Sequence, residues 1–292
     1  MTIFERFSKF LINALLFIIW LLPKFLQKLL ALIIYFLIAY VIRYRKKVII
    51  NNMQNAFPNK STKEIKKIAR RYYLHLSYMI LEIVNLRFSS RKNIAKCLEV
   101  ANPELLQSLR KANKNVLIIL GHYGNWEFGS AKVHDFDYRG IAIYKKLNSK
   151  AFEYFYQELR QNLGVEPVEM HRTLRKLIEV RNEQKPYILL SVADQTPIRS
   201  NIHHWLNFLN QDTGVFMGPE ILAKKFDLAV VYCEIKRCNY CKFLATFKLI
   251  TDTPTQTAEH EIIEKFFAML EESIVNKPED WVWSHRRWKH KR

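Results

Sequence analysis

Two apolar runs near the N-terminus constrain this chain more than any other feature: residues 10–22, broken only by Asn13, and residues 29–42, which carry no charge. A helix crossing a bilayer needs about 20 apolar residues, so neither run alone makes a comfortable span. Joined through Pro23, Lys24, Gln27 and Lys28, they read as a membrane-inserted helix followed by an in-plane or buried helix. Arg43, Arg45, Lys46 and Lys47 follow at once, where basic residues mark the cytoplasmic side of a membrane segment. Each such cation beside an anionic leaflet contributes about 1 kcal/mol. Arg6 and Lys9 ahead of an apolar stretch also suit a signal peptide, but no small-residue cleavage site follows and Pro23-Lys24 leads into more apolar sequence. A pair of core helices in a soluble protein is the competing reading. The expected organisation is a membrane-anchoring helical segment over 1–47 and a second unit over 48–292.

Charge sharpens the question of partners. Lys and Arg number 46 against 27 Asp and Glu, a net +19, which calls for an anionic partner: nucleic acid, an acidic carrier protein or a phospholipid surface. An apolar share of 49% excludes global disorder. Four cysteines are too few for a disulfide scaffold and point to a reducing compartment or buried thiols.

Beyond residue 48 the pattern alternates. Residues 51–60, with Phe57-Pro58, read as a linker. Ser61 with Glu64 forms a capping box, and Ile65, Ile68, Tyr72, Leu76, Met79, Ile83 and Leu86 recur at helical spacing behind it. Strand-like runs follow at 116–120, 141–144, 187–192, 228–235 and 243–250, the last two pairing as a hairpin through Cys238-Asn239-Tyr240. Helical stretches are expected near 125–134, 149–163, 171–183, 215–226 and 258–275. Strand and helix in alternation predict an α/β fold, a largely parallel mixed sheet flanked by helices, behind the N-terminal membrane-associated segment.

The most informative stretch follows the first strand: Gly121-His122-Tyr123-Gly124-Asn125-Trp126-Glu127-Phe128-Gly129. In open α/β sheets the ligand site lies where strands end and helices begin. On one regular helix the five-residue step from His122 to Glu127 turns about 500°, which separates the side chains, whereas a strand-to-helix turn with two glycines can fold them together. An imidazole can then take a proton from a nucleophilic hydroxyl while a carboxylate orients the ring. The competing reading is a histidine at a helix cap with an acid in the first turn.

Other candidates stand in the same light. Asp194 and Gln195 follow the strand 187–192, placed to line a pocket or to remain in a solvated loop. The tail interleaves Arg286, Arg287, Lys289, Lys291 and Arg292 with Trp283 and Trp288, a composition that suits single-stranded nucleic acid, a membrane headgroup region or a solvated basic face. Cys233, Cys238 and Cys241 lack a nearby fourth zinc ligand, and His203-His204 suggests no metal geometry, so no metal is expected. Serine-hydrolase, zinc-protease and nucleotide-binding motifs are absent, and no cofactor is expected.

The nonapeptide around His122 resembles the HX4E signature of the bacterial lipid A biosynthesis late acyltransferases, within the lysophospholipid acyltransferase superfamily. The resemblance extends over nearly the whole chain: Leu22-Pro23, the basic cluster from Arg43 to Lys47, Asn51-Asn52, Ala56-Phe57-Pro58, Ala193-Asp194-Gln195, Thr213-Gly214, Gly218-Pro219, Leu222-Ala223, and the run from Pro278 to Lys289. It implies transfer of a fatty acyl chain from an acyl thioester, on acyl carrier protein or acyl-CoA, to a hydroxyl of an anionic lipid A precursor. The setting it implies is the cytoplasmic side of the bacterial inner membrane, with membrane lipid as a partner and nucleic acid not. Carried onto this chain, His122 is the general base and Glu127 its orienting partner, with Asp194 and Gln195 as substrate contacts and Arg286 and Arg287 as substrate or structural contacts. The family's Tyr-Arg-Pro segment is replaced by Tyr144-Lys145-Lys146-Leu147-Asn148, so Lys145 takes the place of a phosphate- or oxyanion-binding arginine, with charge but no bidentate fork. A superfamily acyltransferase with a lysophospholipid or aminolipid acceptor, and a basic membrane-tethered binding protein without catalysis, remain the alternatives.

Overall fold

A parallel strand pair organises the molecule. The computed structural model describes residues 3–147, 149–181, 183 and 185–292, so Asn148 of the segment after the second predicted strand lies outside the described residues. The chain opens with α1 (Ile3–Leu21) and α2 (Lys24–Phe36), the latter continued by a π-helical turn over Leu37–Val41. Pro23 breaks the two apart because it cannot continue the first helix. Next come α3 (Lys46–Ala56), α4 (Thr62–Phe88) and the short α5 (Arg91–Ala95). The capping box at α4 forms in full: the Glu64 amide donates to Ser61 Oγ at 3.3 Å, and the Ser61 amide donates to Glu64 Oε2 at 2.8 Å.

The remaining chain alternates as expected: β1 (Leu98–Val100), α6 (Glu104–Lys111), β2 (Val116–Leu120), a 3-10 helix over Trp126–Phe136, β3 (Arg139–Tyr144), α7 (Lys150–Asn162) and β4 (Val165–Glu169). Then follow α8 (Thr173–Val180), β5 (Tyr187–Val192), β6 (His204–Phe208), β7 (Gln211–Val215), α9 (Gly218–Phe226), β8 (Ala229–Asn239), β9 (Lys242–Thr251) and α10 (Glu261–Asn276). Seven strands form one mixed sheet in the order β1-β9-β8-β2-β5-β3-β4, parallel throughout except for the β8–β9 hairpin. This is the expected α/β architecture.

Both faces of the sheet are covered, which explains the unbroken apolar runs of its inner strands. Leu117, Ile119, Leu189, Val230 and Tyr232 face one core, completed by side chains of α3, α4, α8, α9 and α10. Val116, Ile118, Leu120, Ile188, Leu190 and Val231 face the other, completed from α5, α6, the 3-10 helix and α7.

Several local expectations are corrected. Residues 51–56 are helical and belong to α3; only 57–60 connect. Their polarity hid a buried face, since Asn52 is turned inward and donates to the carbonyls of Trp283 and His285, both at 2.9 Å. The helix near 125–134 is a 3-10 helix, and the one near 215–226 starts at Gly218 because residues before it form the β6–β7 hairpin. The C-terminal run is divided: Trp281, Trp283 and Arg287 are buried and Trp281 bridges to Tyr123, while Arg286, Lys289, Lys291 and Arg292 are exposed.

One buried ion pair joins four segments. Arg237 of β8 binds both oxygens of Glu82 on α4, with neither side chain more than slightly exposed. Asn125 donates to Glu82 Oε2 at 3.1 Å, and the Cys241 amide donates to Oε1 at 3.0 Å. Arg237 Nε donates to His75 Nδ1 at 3.1 Å, and burial lowers the His75 pKa, so this imidazole is neutral. Asp280 accepts the Arg237 amide at 3.2 Å and Lys277 Nζ at 2.9 Å. Removing one partner leaves the other charge buried alone. Glu82→Gln is expected to cost about 3–5 kcal/mol, read by urea denaturation of the purified protein.

Candidate active site

Strands β2 and β5 run parallel in a fixed register, ending at Leu120 opposite Val192. The Ala193 amide donates to the Leu120 carbonyl at 3.0 Å and carries the pairing one step further. The same register brings the next pair, His122 and Asp194, face to face. Asp194 Oδ2 accepts the His122 main-chain N–H at 3.0 Å, and Oδ1 lies 2.5 Å from the ring Nδ1. The buried indole of Trp281 donates to Oδ2 at 2.7 Å. Burial opposes the charged form of Asp194, but the adjacent His122 imidazole, with the indole and main-chain bonds, outweighs it and holds the carboxyl down at about 2.

This arrangement sets the tautomer. A carboxylate acceptor at Nδ1 keeps the proton there and leaves the lone pair on Nε2. The His122 side chain is 18% exposed while that of Asp194 is 2% exposed, so the ring reaches from a buried carboxylate toward the surface. Gln195 Nε2 lies 3.0 Å from His122 Nε2, and Gln195 itself is exposed.

The turn holding His122 is bracketed by the C-terminal segment. The Gly124 amide donates to the Asp280 carbonyl at 2.8 Å, and the Val282 amide donates to the His122 carbonyl at 3.1 Å. Gly124 adopts φ +62°, and a Cβ there would lie 1.8 Å from the Ile235 carbonyl oxygen, so only glycine fits. Trp126 packs edge-on against the imidazole at 4.5 Å.

Glu127 does not touch the imidazole. Its Oε1 accepts Arg160 Nη2 at 2.6 Å and its Oε2 accepts Nε at 3.2 Å, with side chains 7% and 16% exposed. Successive residues of a 3-10 helix are about 120° apart, so with Trp126 on the imidazole Glu127 is aimed elsewhere, toward α7. Arg160 in turn lies over the rings of Tyr144 and Tyr156 at 5.6 and 5.7 Å. The carboxylate on the ring is that of Asp194.

The other expected contacts divide by burial. Lys145, directly after β3, and Arg286 are exposed. Arg287 is buried over the Phe267 ring, donates to the Gly214 carbonyl at 2.9 Å, and burial pulls its pKa down to about 10, so it stays charged at neutral pH. Sequence reasoning missed Trp281, Arg160 and His285. The Thr196 amide donates to His285 Nε2 at 3.3 Å, and burial holds this imidazole down at about 4, hence neutral. Trp281 and His285 are revealed only by the C-terminal segment lying against the end of β2, and Arg160 only by α7 lying against the 3-10 helix; no local spacing encodes either. Among the described residues no group of three or more His, Cys, Asp and Glu is placed to hold a metal ion.

A ring with a buried carboxylate at Nδ1 and an accessible Nε2 can remove a proton from a hydroxyl. Because the folded carboxyl sits near 2, against about 3.9 when unfolded, its contribution to stability is complete above about pH 4 and is lost as pH falls through about 2. The stability difference between the wild type and Asp194→Asn is therefore expected to narrow as pH is lowered from 5 to 2, measured by thermal denaturation.

A family model described as bacterial lipid A biosynthesis acyltransferase matches residues 1–290. Compared with the curated proteins, the chain finds no match.

Proposed function

The chain belongs to the bacterial lipid A biosynthesis acyltransferase family and is an acyltransferase, and from that premise we propose that it moves a fatty acyl chain from a thioester to a hydroxyl of a lipid A precursor by direct transfer, with His122 as general base. The donor is acyl carrier protein or acyl-CoA. His122 Nε2 takes the hydroxyl proton as the oxygen attacks the thioester carbonyl; the tetrahedral oxyanion then collapses, the ester forms, and the departing thiolate leaves with the proton from the imidazolium. Asp194 keeps the ring oriented and stabilises the imidazolium, as a positioning residue. Gln195 gives up its place at Nε2 when the acceptor hydroxyl enters.

The observation that carries this reading is the His122 ring held at Nδ1 by Asp194, with Nε2 on the exposed side. Exposed cations at Lys145 and Arg286 suit the phosphates of the acceptor. Glu127 acts on the site through Arg160, fixing a cation beside Tyr144 and Tyr156. The exposed apolar surface of α1 and α2 and the basic residues 43–47 support placement at a membrane, with the catalytic unit on the cytoplasmic side of the inner membrane.

The test is acyl transfer in detergent from a panel of acyl carrier protein and CoA thioesters to a purified lipid A precursor, with the product identified by mass. His122→Ala is expected to lower turnover by about 10²–10⁴, the range of general-base assistance. Asp194→Asn, which permits the wrong tautomer, is expected to lower kcat with little change in KM. Glu127→Gln leaves Arg160 without its counter-charge and lowers both turnover and thermal stability, and stability returns in part with Arg160→Gln added. Wild-type rates in the His122 variant would overturn the mechanism.

A further inference from the structure

We propose that α2 and its π-helical extension lie flat in the headgroup–acyl boundary of one leaflet, apolar face down, instead of crossing the bilayer; the proposal rests on the membrane reading above and fixes its geometry. By length and composition alone a span is allowed, since Lys24–Val41 forms 18 residues of apolar helix. How this helix is fastened to the rest of the molecule argues otherwise.

Its inner face is tied along its whole length to α4, and the two run antiparallel. At the start, Lys24 bonds to Asn85. One turn on, Gln27 is 1% exposed, with its amide nitrogen 3.0–3.2 Å from the carbonyls of Ile19, Trp20 and Leu22. The Gln27 carbonyl oxygen accepts from Asn85 at 3.0 Å and from the Tyr240 hydroxyl at 2.7 Å. Ala31 and Ala39, small and buried, let the helix sit close, and just beyond its end the Tyr44 carbonyl accepts the Tyr73 hydroxyl at 2.8 Å. The contacts thus pass from residue 85 back to residue 73 of α4 as the chain advances from 24 to 44.

The body to which it is tied is unfit for hydrocarbon. Beside Tyr240, the β8–β9 turn exposes Lys236, Asn239 and Lys242, and Arg87 on α4 pairs with Glu158 at 2.9 Å near the surface. A crossing by α2 would carry these groups into the bilayer with it, at about 2.5–3.5 kcal/mol for each charge at the centre on insertion scales.

The outer face tells the same story. Phe25, Leu29, Leu32, Ile33, Phe36 and Tyr40 recur at steps of three and four and are 45–68% exposed, a single apolar stripe opposite the buried Gln27, Ala31 and Ala39. Such a one-sided helix buries its stripe about 5–10 Å into the boundary of a leaflet. Immediately beyond it, Arg43, Arg45, Lys46 and Lys47 are exposed, and so are Lys63, Lys66, Lys67 and Arg70 on the first turns of α4, a cationic collar continuous with the stripe and complementary to anionic headgroups.

The experiment measures depth. The full chain, with Cys97 and Cys238 changed to serine so that the accessible native thiols are gone, is reconstituted into vesicles of phosphatidylethanolamine and phosphatidylglycerol. Single nitroxide labels are attached in turn at Phe25→Cys, Leu29→Cys, Ile33→Cys, Phe36→Cys and Tyr40→Cys, all exposed positions on the outer face. Relative accessibility to oxygen and to a water-soluble nickel chelate gives each label's depth. Five depths within a few ångströms of one another are expected. A gradient of about 20 Å from residue 25 to residue 40, at 1.5 Å per residue, is the signature of a span and would overturn the proposal while leaving membrane association intact. Labels shielded from both reagents would mean that a second copy of the chain covers the stripe, which also overturns it. Labels open to the chelate in protein that fails to float with the vesicles would overturn the membrane reading itself.

Discussion

Everything at the site depends on the parallel register of β2 and β5. Two strands that pair residue for residue and end level deliver the residues beyond them to the same height, and the second residue past each end is His122 on one and Asp194 on the other. Because β2 is the central strand from which the chain crosses to β3 on one side and returns to β8 on the other, its end lies at the switch in strand order, the place where open α/β sheets bind ligands. A carboxylate there, buried and already receiving an indole N–H and a main-chain N–H, has a fixed orientation before any substrate arrives. The imidazole inherits that orientation, and the general-base role proposed for it would gain from not having to select it.

The second requirement is that the turn carrying His122 not move. Its two sides are held by different means. On the outer side the C-terminal segment runs along it, exchanging main-chain bonds at His122 and Gly124 and inserting Trp281 beneath Asp194. On the inner side Asn125 reaches the Glu82–Arg237 pair, which also holds the β8–β9 turn and, through the Arg237 amide on the Asp280 carboxylate, the start of the C-terminal segment. Asp280 therefore serves both sides: its carbonyl takes the Gly124 amide, and its carboxylate takes the Arg237 amide. Breaking the buried pair would loosen the turn from beneath and from above together.

Most of the sheet was legible in the sequence, because strands covered on both faces are unbroken apolar runs, as at 116–120, 187–192 and 228–235. The strands that were missed are short or edge strands, β1, β4, β6 and β7, whose sequences such as Gln211-Asp212-Thr213-Gly214 carry no alternation. His122 was visible as a histidine at a strand-to-helix junction. Its partner was not, because sequence proximity favoured Glu127, five residues away, while the contact is made by Asp194, 72 residues away, through strand register. Residues 51–56 failed for the opposite reason: Asn52, in a run that looks like a loop, is turned inward, and its partners are main-chain carbonyls more than two hundred residues distant. Long-range main-chain acceptors leave no trace in composition or spacing.

Those same asparagine contacts connect the N-terminal helices to the chemistry. Asn52 holds the carbonyls of Trp283 and His285, Arg45 donates to the Ser284 carbonyl at 2.9 Å, and the Ser284 amide donates to the Tyr72 hydroxyl at 3.2 Å. The segment that brackets His122 on one side is thus clasped on its other side by α3, by α4 and by the basic turn directly after α2. A helix fastened at one end by Gln27 and followed at the other by this clasp has little freedom to tilt independently of the site. Under the proposed function, with a membrane lipid as acceptor and His122 as base, that rigidity would have a chemical use: the fold would set the height of the imidazole above the leaflet, and the position of the lipid headgroup would set the distance at which the hydroxyl meets Nε2.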